Sequence, residues 1–270
     1  MHFLEHLSLG QYVPAKSFIH SLDPRSKVLA VMFLITSVFL ANTTLWPYVI
    51  WFVLIVIISA LSNISFKTVV TSTRPVLILI VFTLAINLLF ADGRELFRIA
   101  FISITEEGLL TGIKMGLRLF YLVLFANITM MTTSPIELSD GIESLLSPFK
   151  RYGLPAHEFA MMMTIALRFI PTLLDETDRI MKAQLARGAD LDSGGIIKRF
   201  KALIPVLVPL FVIVFQRAEE LAVAMEARCY RGDYGRSRMR PLVWGACDSL
   251  YLSAILFISA SGVILDRWIL

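Results

Sequence analysis

The chain has 270 residues, of which 57% are hydrophobic and only 17% charged, and its mean hydropathy is +0.74. A soluble domain carries about a quarter charged and about 45–50% apolar residues; these values, with the apolar residues gathered in long runs, exclude an ordinary soluble protein. The net charge of +4 and pI of about 9.1 fit cytoplasmic loops facing anionic lipid rather than nucleic acid.

Residues Met1 to Gln11 contain no basic stretch followed by an apolar run, so no cleavable signal peptide is expected. A membrane-crossing helix takes roughly 20 apolar residues, and five segments meet that. The first runs from Lys27 to about Asn42, after Asp23-Pro24, an N-cap followed by proline at the first helical position. The second runs from Leu45 to Asn63, with Trp46, Tyr48 and Trp51 at its entrance as expected interfacial anchors. The third starts at Pro75 and ends near Ala91; the fourth covers Gly108 to Thr132; the last lies between Leu242 and Leu265. Lys16, Arg25 and Lys27 precede the first span, Lys67 and Arg74 separate the second from the third, and the turn Asn42-Thr43-Thr44 is uncharged. The loop from Asp92 to Glu107 is mixed in charge. Positive residues stay on the cytoplasmic side, so the N-terminus is expected inside and the end of the chain, Asp266-Arg267-Trp268, outside.

Between Ser134 and Pro241 the pattern changes. Ser134-Pro135-Ile136-Glu137 is a capping box that opens a short helix ending before Ser147-Pro148. A long helix follows from Leu154-Pro155, with Phe159, Met162, Met163, Ala166, Phe169, Ile170 and Leu173 at helical spacing, and it stops at Arg187-Gly188. After the turn Ala189 to Gly195, a second long helix begins basic, with Lys198, Arg199 and Lys201, and ends at Ala227-Arg228-Cys229. Its apolar stretch Leu203 to Phe215, interrupted by Pro205 and Pro209, spans roughly 20 Å, which is short for a hydrocarbon core of about 30 Å. Both helices are expected at the cytoplasmic face. Asp233-Tyr234-Gly235 reads as a turn, and Arg236, Arg238 and Arg240 border the last span.

The paired Ala186-Arg187-Gly188 and Ala227-Arg228-Cys229 admit two explanations. Arginine in a last helical turn complements the helix dipole. Equally, a small residue beside a planar guanidinium suits close docking onto a partner's carboxylates or carbonyls. Gly108, Gly112 and Gly116 form a small-residue stripe for close helix packing in lipid, while Lys114 and Arg118 on the same span are expected to snorkel to its outer end. Met161, Met162, Met163, Met130 and Met131 offer adaptable apolar surface.

Catalysis finds no support. There is no P-loop GxxxxGK[ST], no HExxH and no GxSxG; the two cysteines, Cys229 and Cys247, form no CxxC. No catalytic, cofactor-binding or metal-ligating residue is assigned.

Ala183-Gln184-Leu185-Ala186-Arg187-Gly188, Ile204-Pro205-Val206-Leu207-Val208-Pro209-Leu210-Phe211 and Ala224-Met225-Glu226-Ala227-Arg228-Cys229-Tyr230-Arg231-Gly232 together resemble the transmembrane T component of energy-coupling factor (ECF) transporters. Leu22-Asp23-Pro24-Arg25-Ser26-Lys27 and Arg168-Phe169-Ile170-Pro171 match the same family, and the resemblance covers essentially the whole chain. It implies an all-α polytopic membrane protein with about five transmembrane helices and two long cytoplasmic coupling helices. The expected organisation is an N-terminal interfacial segment (1–26), four transmembrane helices (27–133), the coupling helices (134–241) and a last transmembrane helix (242–270). It further implies a non-catalytic subunit of an ATP-driven vitamin or metal importer in a prokaryotic plasma membrane. Its partners would be two cytoplasmic ABC-type ATPases, which bind the ATP and Mg, and a small substrate-binding membrane subunit, the S component. Ala186, Arg187, Gly188, Ala227, Arg228 and Cys229 would dock on the ATPases, and Met162, Phe169, Leu207 and Phe211 would face the substrate-binding subunit. The alternative is a self-contained permease of a conventional ABC importer.

Overall fold

The computed structural model describes residues 12–41, 44–90, 95–99, 102–153, 155–189, 195–232 and 241–268. The expectations placed on 1–11, on Asn42 and Thr43, on Asp92 and Arg94, on the turn at 190–194 and on the basic segment 233–240 fall outside these residues. The chain divides into two compact units: one of 10–145 with 241–270, the other of 146–240 with 1–9.

The larger unit is built from α1 (Pro24–Leu40), α2 (Trp46–Leu61), the short α3 (Phe66–Thr71), α4 (Arg74–Phe90), α5 (Glu106–Thr132), α6 (Pro135–Leu146) and α9 (Ala246–Trp268). Capping chemistry sets the boundaries, at Asp23 and Ser134 as the sequence predicts and at Thr105 in addition. Asp23 accepts a hydrogen bond from Arg25 N at 2.9 Å, and Pro24 opens α1. Thr105 caps α5 by accepting from Gly108 N at 3.1 Å. The capping box at α6 is reciprocal: Ser134 N donates to Glu137 Oε2 at 3.1 Å, and Glu137 N donates to Ser134 Oγ at 3.3 Å.

Contacts between helix ends fix their directions. Asp23 N donates to Asp248 Oδ1 at 2.7 Å, so α1 and α9 start together. Thr44 N and Oγ1 both donate to Asp266 Oδ1, at 2.6 and 2.7 Å, so those helices also end together. Lys27 Nζ donates to Thr132 O at 3.1 Å and to His20 O at 3.3 Å, which sets the end of α5 beside the start of α1 and places a cation at the negative end of α5's dipole. Gly112 faces Leu84 and Asn87 while Gly116 faces Ile80, so α4 and α5 are antiparallel. The long helices therefore alternate in direction, α1 up, α2 down, α4 up, α5 down and α9 up, as successive crossings of one layer require.

The core of this unit lies where α1, α2, α5 and α9 meet, around Leu34, Trp51, Ile55, Leu124, Phe125 and Ile255. Trp51 packs edge-on against Tyr48 and Tyr121, with ring centroids 5.2 and 6.1 Å apart. This corrects the expectation of three interfacial anchors: Tyr48 and Trp51 are 3% and 0% exposed, and only Trp46 faces outward. Apolar residues also lie on the outside, among them Ile78, Val81 and Phe82 of α4. An apolar exterior is what a lipid-facing surface requires. Among the described residues α5, α9 and a later helical stretch, Phe200–Ala227, are long and apolar enough to cross a membrane, with Trp46–Leu61 and Arg74–Leu89 as shorter apolar helices.

Two further differences from the sequence reading appear. The loop before α5 contains a short antiparallel hairpin, β1 (Glu95–Ile99) and β2 (Ile102–Thr105), which sequence periodicity did not reveal because each strand is only four or five residues long. The last helix begins at Ala246 rather than Leu242. Asp248 sets that start, accepting from Gly245 N at 2.8 Å.

The second unit holds a 3-10 turn (Ser147–Tyr152), α7 (Ala156–Ala186) and α8 (Ile196–Ala227). Helix α7 runs unbroken through Pro171, and α8 through Pro205 and Pro209. The apolar stretch 203–215 is thus part of one 32-residue helix, and by length and composition alone it is not too short to cross, contrary to the sequence estimate.

Candidate functional site

The two Ala-Arg ends have the same backbone geometry, and their hydrogen bonds define a Schellman motif in each case. In α7, Gly188 has φ 86; its N–H donates to Leu185 O at 2.9 Å, and Ala189 N–H donates to Gln184 O at 3.0 Å. In α8, Cys229 has φ 55; its N–H donates to Glu226 O at 2.8 Å, and Tyr230 N–H donates to Met225 O at 3.1 Å. These bonds satisfy carbonyls that a helix end otherwise leaves open. Arg187 and Arg228 thus hold the same cap position, each followed by a left-handed residue that turns the chain away. The consequence is exposure. Ala186, Arg187, Gly188, Ala227, Arg228 and Cys229 all lie on the surface, and among the described residues neither guanidinium has a hydrogen bond or ion pair.

The pairing of α7 with α8 decides where these ends sit. Gln184 Nε2 near the end of α7 donates to Pro205 O in the first third of α8, at 3.2 Å. The Tyr230 hydroxyl, just past α8, donates to Met161 Sδ at 2.9 Å and lies 3.5 Å from His157 Nε2, near the start of α7. The helices are therefore antiparallel, and the Ala-Arg motifs occupy opposite ends of the pair. From Met161 to Arg187 the axial separation is about 40 Å at 1.5 Å per residue. Each arginine stands clear of the other's electrostatic reach, beyond a Debye length of about 8 Å at physiological ionic strength.

Between the ends, Phe169, Ile170, Leu173, Val214, Leu221 and Met225 line an apolar groove of about 430 Å³. Of the four residues expected to meet a membrane partner, Met162, Leu207 and Phe211 are exposed, whereas Phe169 is partly buried in this groove. The structure thus separates Phe169 from the other three. Both helices also carry charge, with ion pairs Lys182–Asp178, Arg179–Glu176 and, at the groove's rim, Arg217–Glu220; such exposed pairs contribute little stability.

The glycine stripe of α5 is intramolecular. A Cβ on Gly116 would sit 3.1 Å from Ile80 Cγ2, and one on Gly112 would sit 3.4 Å from Asn87 Cβ. Arg118 lies with its guanidinium carbon 5.6 Å from the Phe39 ring centroid, a cation–π contact within the protein rather than a snorkelling tip. Sequence reading missed Asp248 and Asp266. Both are nearly fully buried, 5% and 2% exposed, and both join segments more than two hundred residues apart. No local pattern marks such an aspartate, although a carboxylate at each end of an apolar span is a signal in itself.

Comparison with known proteins follows the same lines. A family model described as "Cobalt transport protein" (CbiQ) matches residues 15–240. The energy-coupling factor transporter transmembrane protein EcfT of Thermanaerovibrio acidaminovorans is 53% identical over 264 residues, covering 98% of this chain and 97% of the relative. That of Acidaminococcus fermentans is 55% identical over 247 residues, 92% of each chain. That of Bacillus subtilis is 43% identical over 258 residues, 95% of this chain and 97% of the relative.

Proposed function

This chain belongs to the energy-coupling factor transporter transmembrane protein family, and from that membership we propose that it is the subunit through which two ATPases drive a separate substrate-binding membrane subunit. The observation that carries this reading is the pair of identical, exposed helix ends at opposite ends of α7 and α8. Two ATPases present two equivalent grooves, and two like ends about 40 Å apart can engage one each. At each end the alanine side chain leaves room for a groove wall, and the guanidinium fork offers paired donors to carboxylates or carbonyls. The Schellman turn removes the rest of the chain from the approach.

On this reading the chain catalyses nothing itself. ATP and Mg are bound by the ATPases, and the imported vitamin or metal ion is held by the substrate-binding subunit. The apolar residues Met162, Leu207 and Phe211 are the surface offered to that subunit, and α7, α8 and the N-terminus face the cytoplasm of a prokaryotic cell.

Removing one buried, hydrogen-bonded charge from an interface costs about 2–5 kcal/mol. Arg187→Ala or Arg228→Ala is therefore expected to weaken ATPase retention at least thirtyfold, and the double variant to lose it. The check is co-purification of the ATPases with the tagged chain from native membranes. Full retention of both ATPases by the double variant sinks the proposal.

A further inference from the structure

Among the described residues, two polar contacts tie α7 to α8 or to the turn just past it, and each lies within a turn of an Ala-Arg end. The first follows from the sequence of α8. The carbonyl of Pro205 would accept from the N–H four residues on, but that residue is Pro209, which has none. The orphaned carbonyl is taken by Gln184 Nε2 across the helix pair, at 3.2 Å. Gln184 is also the residue whose carbonyl receives Ala189 N–H in the Schellman motif, so one residue both shapes the Arg187 end and ties it to α8. The second contact follows from the other cap. Tyr230 donates its backbone N–H to Met225 O, closing the Schellman motif, while its hydroxyl reaches Met161 Sδ at 2.9 Å and stands 3.5 Å from His157. Again one residue shapes an arginine end and ties it to the opposite helix. The seam between these contacts is apolar and incompletely filled, as the groove of about 430 Å³ records. Apolar side chains across an open groove slide past one another at little cost, whereas a hydrogen bond at each end fixes register.

We propose that Gln184 and Tyr230 are positioning residues, two cross-braces that make α7 and α8 one rigid lever between Arg187 and Arg228. The inference rests on the reading of the two arginines as ATPase contacts. Without braces, a displacement at either end is absorbed by sliding in the groove; with them, it moves the pair as a body.

The test uses the full chain assembled with its ATPases and substrate-binding subunit in liposomes, in a Cys229→Gly, Cys247→Ser background. Spin labels are placed at the exposed pairs Ala183 with Lys201 and Glu158 with Arg231, one pair at each brace. Unaltered braces are expected to give narrow distance distributions that are the same with ATP and with ADP. Tyr230→Phe should broaden the 158–231 distribution and leave 183–201 narrow. Gln184→Met should broaden 183–201. That variant also leaves the Pro205 carbonyl open, so it is paired with Pro209→Ala, which restores the missing N–H within α8. If Gln184 serves only to satisfy that carbonyl, Pro209→Ala narrows 183–201 again and the inference fails; if it is a brace, thermal stability recovers and the distribution stays broad. Unchanged widths in both brace variants, or distances in the unaltered pair that differ between ATP and ADP, overturn the inference. Loss of ATPases from Arg187→Ala, Arg228→Ala tests the underlying reading separately, since the brace variants keep both arginines.

Discussion

Cys229 holds a left-handed backbone position that glycine holds in the companion motif, with φ 55 against 86 at Gly188. A side chain with a Cβ costs about 1–2 kcal/mol there, and Cys229 is exposed, with no burial to offset the strain. Cys229→Gly is therefore expected to stabilise the protein by about 1 kcal/mol, and Gly188→Ala to destabilise it by a similar amount. Thermal unfolding in detergent measures both; a fall in Tm for Cys229→Gly contradicts the account. The sequence marked both triplets as helix ends, and Arg-Gly is a familiar stop signal. The strain at cysteine was not legible, because φ turns positive through two bonds that the residue type does not announce, from its own N–H to Glu226 O and from Tyr230 N–H to Met225 O.

At the level of elements, glycine spacing and helix pairing bear on each other. Gly112 and Gly116 are one turn apart on α5, and the structure spends both on contact with α4. With Ile80 Cγ2 only 3.1 Å from where a Gly116 Cβ would sit, Gly116→Leu must push α4 away. Overpacking of this kind costs about 1–3 kcal/mol or more, and the expected result is a lower Tm and faster proteolysis of the α4–α5 connection. An unchanged Tm would mean the helices meet elsewhere. The starts of α1 and α6 were the most legible elements, since Asp23 and Ser134 carry local capping chemistry; Thr105, which caps α5, was not read, and that span was expected to begin at Gly108. The reach of α8 was legible too, as one long helix ending at Ala227. What the chain did not show is how that helix continues through Pro205 and Pro209, one of the freed carbonyls being satisfied by Gln184 on α7.

At the level of the whole molecule, the alternation of α1, α2, α4, α5 and α9 places the start of α1 and the start of α9 at one end, and Thr44 and Asp266 at the other. Leu242 O accepts from Arg25 Nη2 at 3.4 Å, so the segment leading into α9 lies at the end where α1 begins. We propose, from the charge asymmetry, that this end faces the cytoplasm. In a cysteine-free background, a membrane-impermeant maleimide is expected to label Arg267→Cys in intact cells and Tyr152→Cys only after lysis. The reverse pattern would invert the topology.

The sequence by itself determined the membrane class, the capped starts of α1 and α6, the two arginine ends and the family, because hydropathy, capping and a spaced motif are local properties of the chain. Tertiary structure alone decided that Tyr48 and Trp51 are core rather than anchors, that aspartates at 248 and 266 staple α9 to the beginning of the chain, and that the arginine ends point apart. Those outcomes depend on which distant segment supplies a partner: a ring needs another ring, a buried carboxylate needs donors, and the separation of Arg187 from Arg228 is set by the antiparallel packing of α7 on α8, which no spacing along the chain encodes.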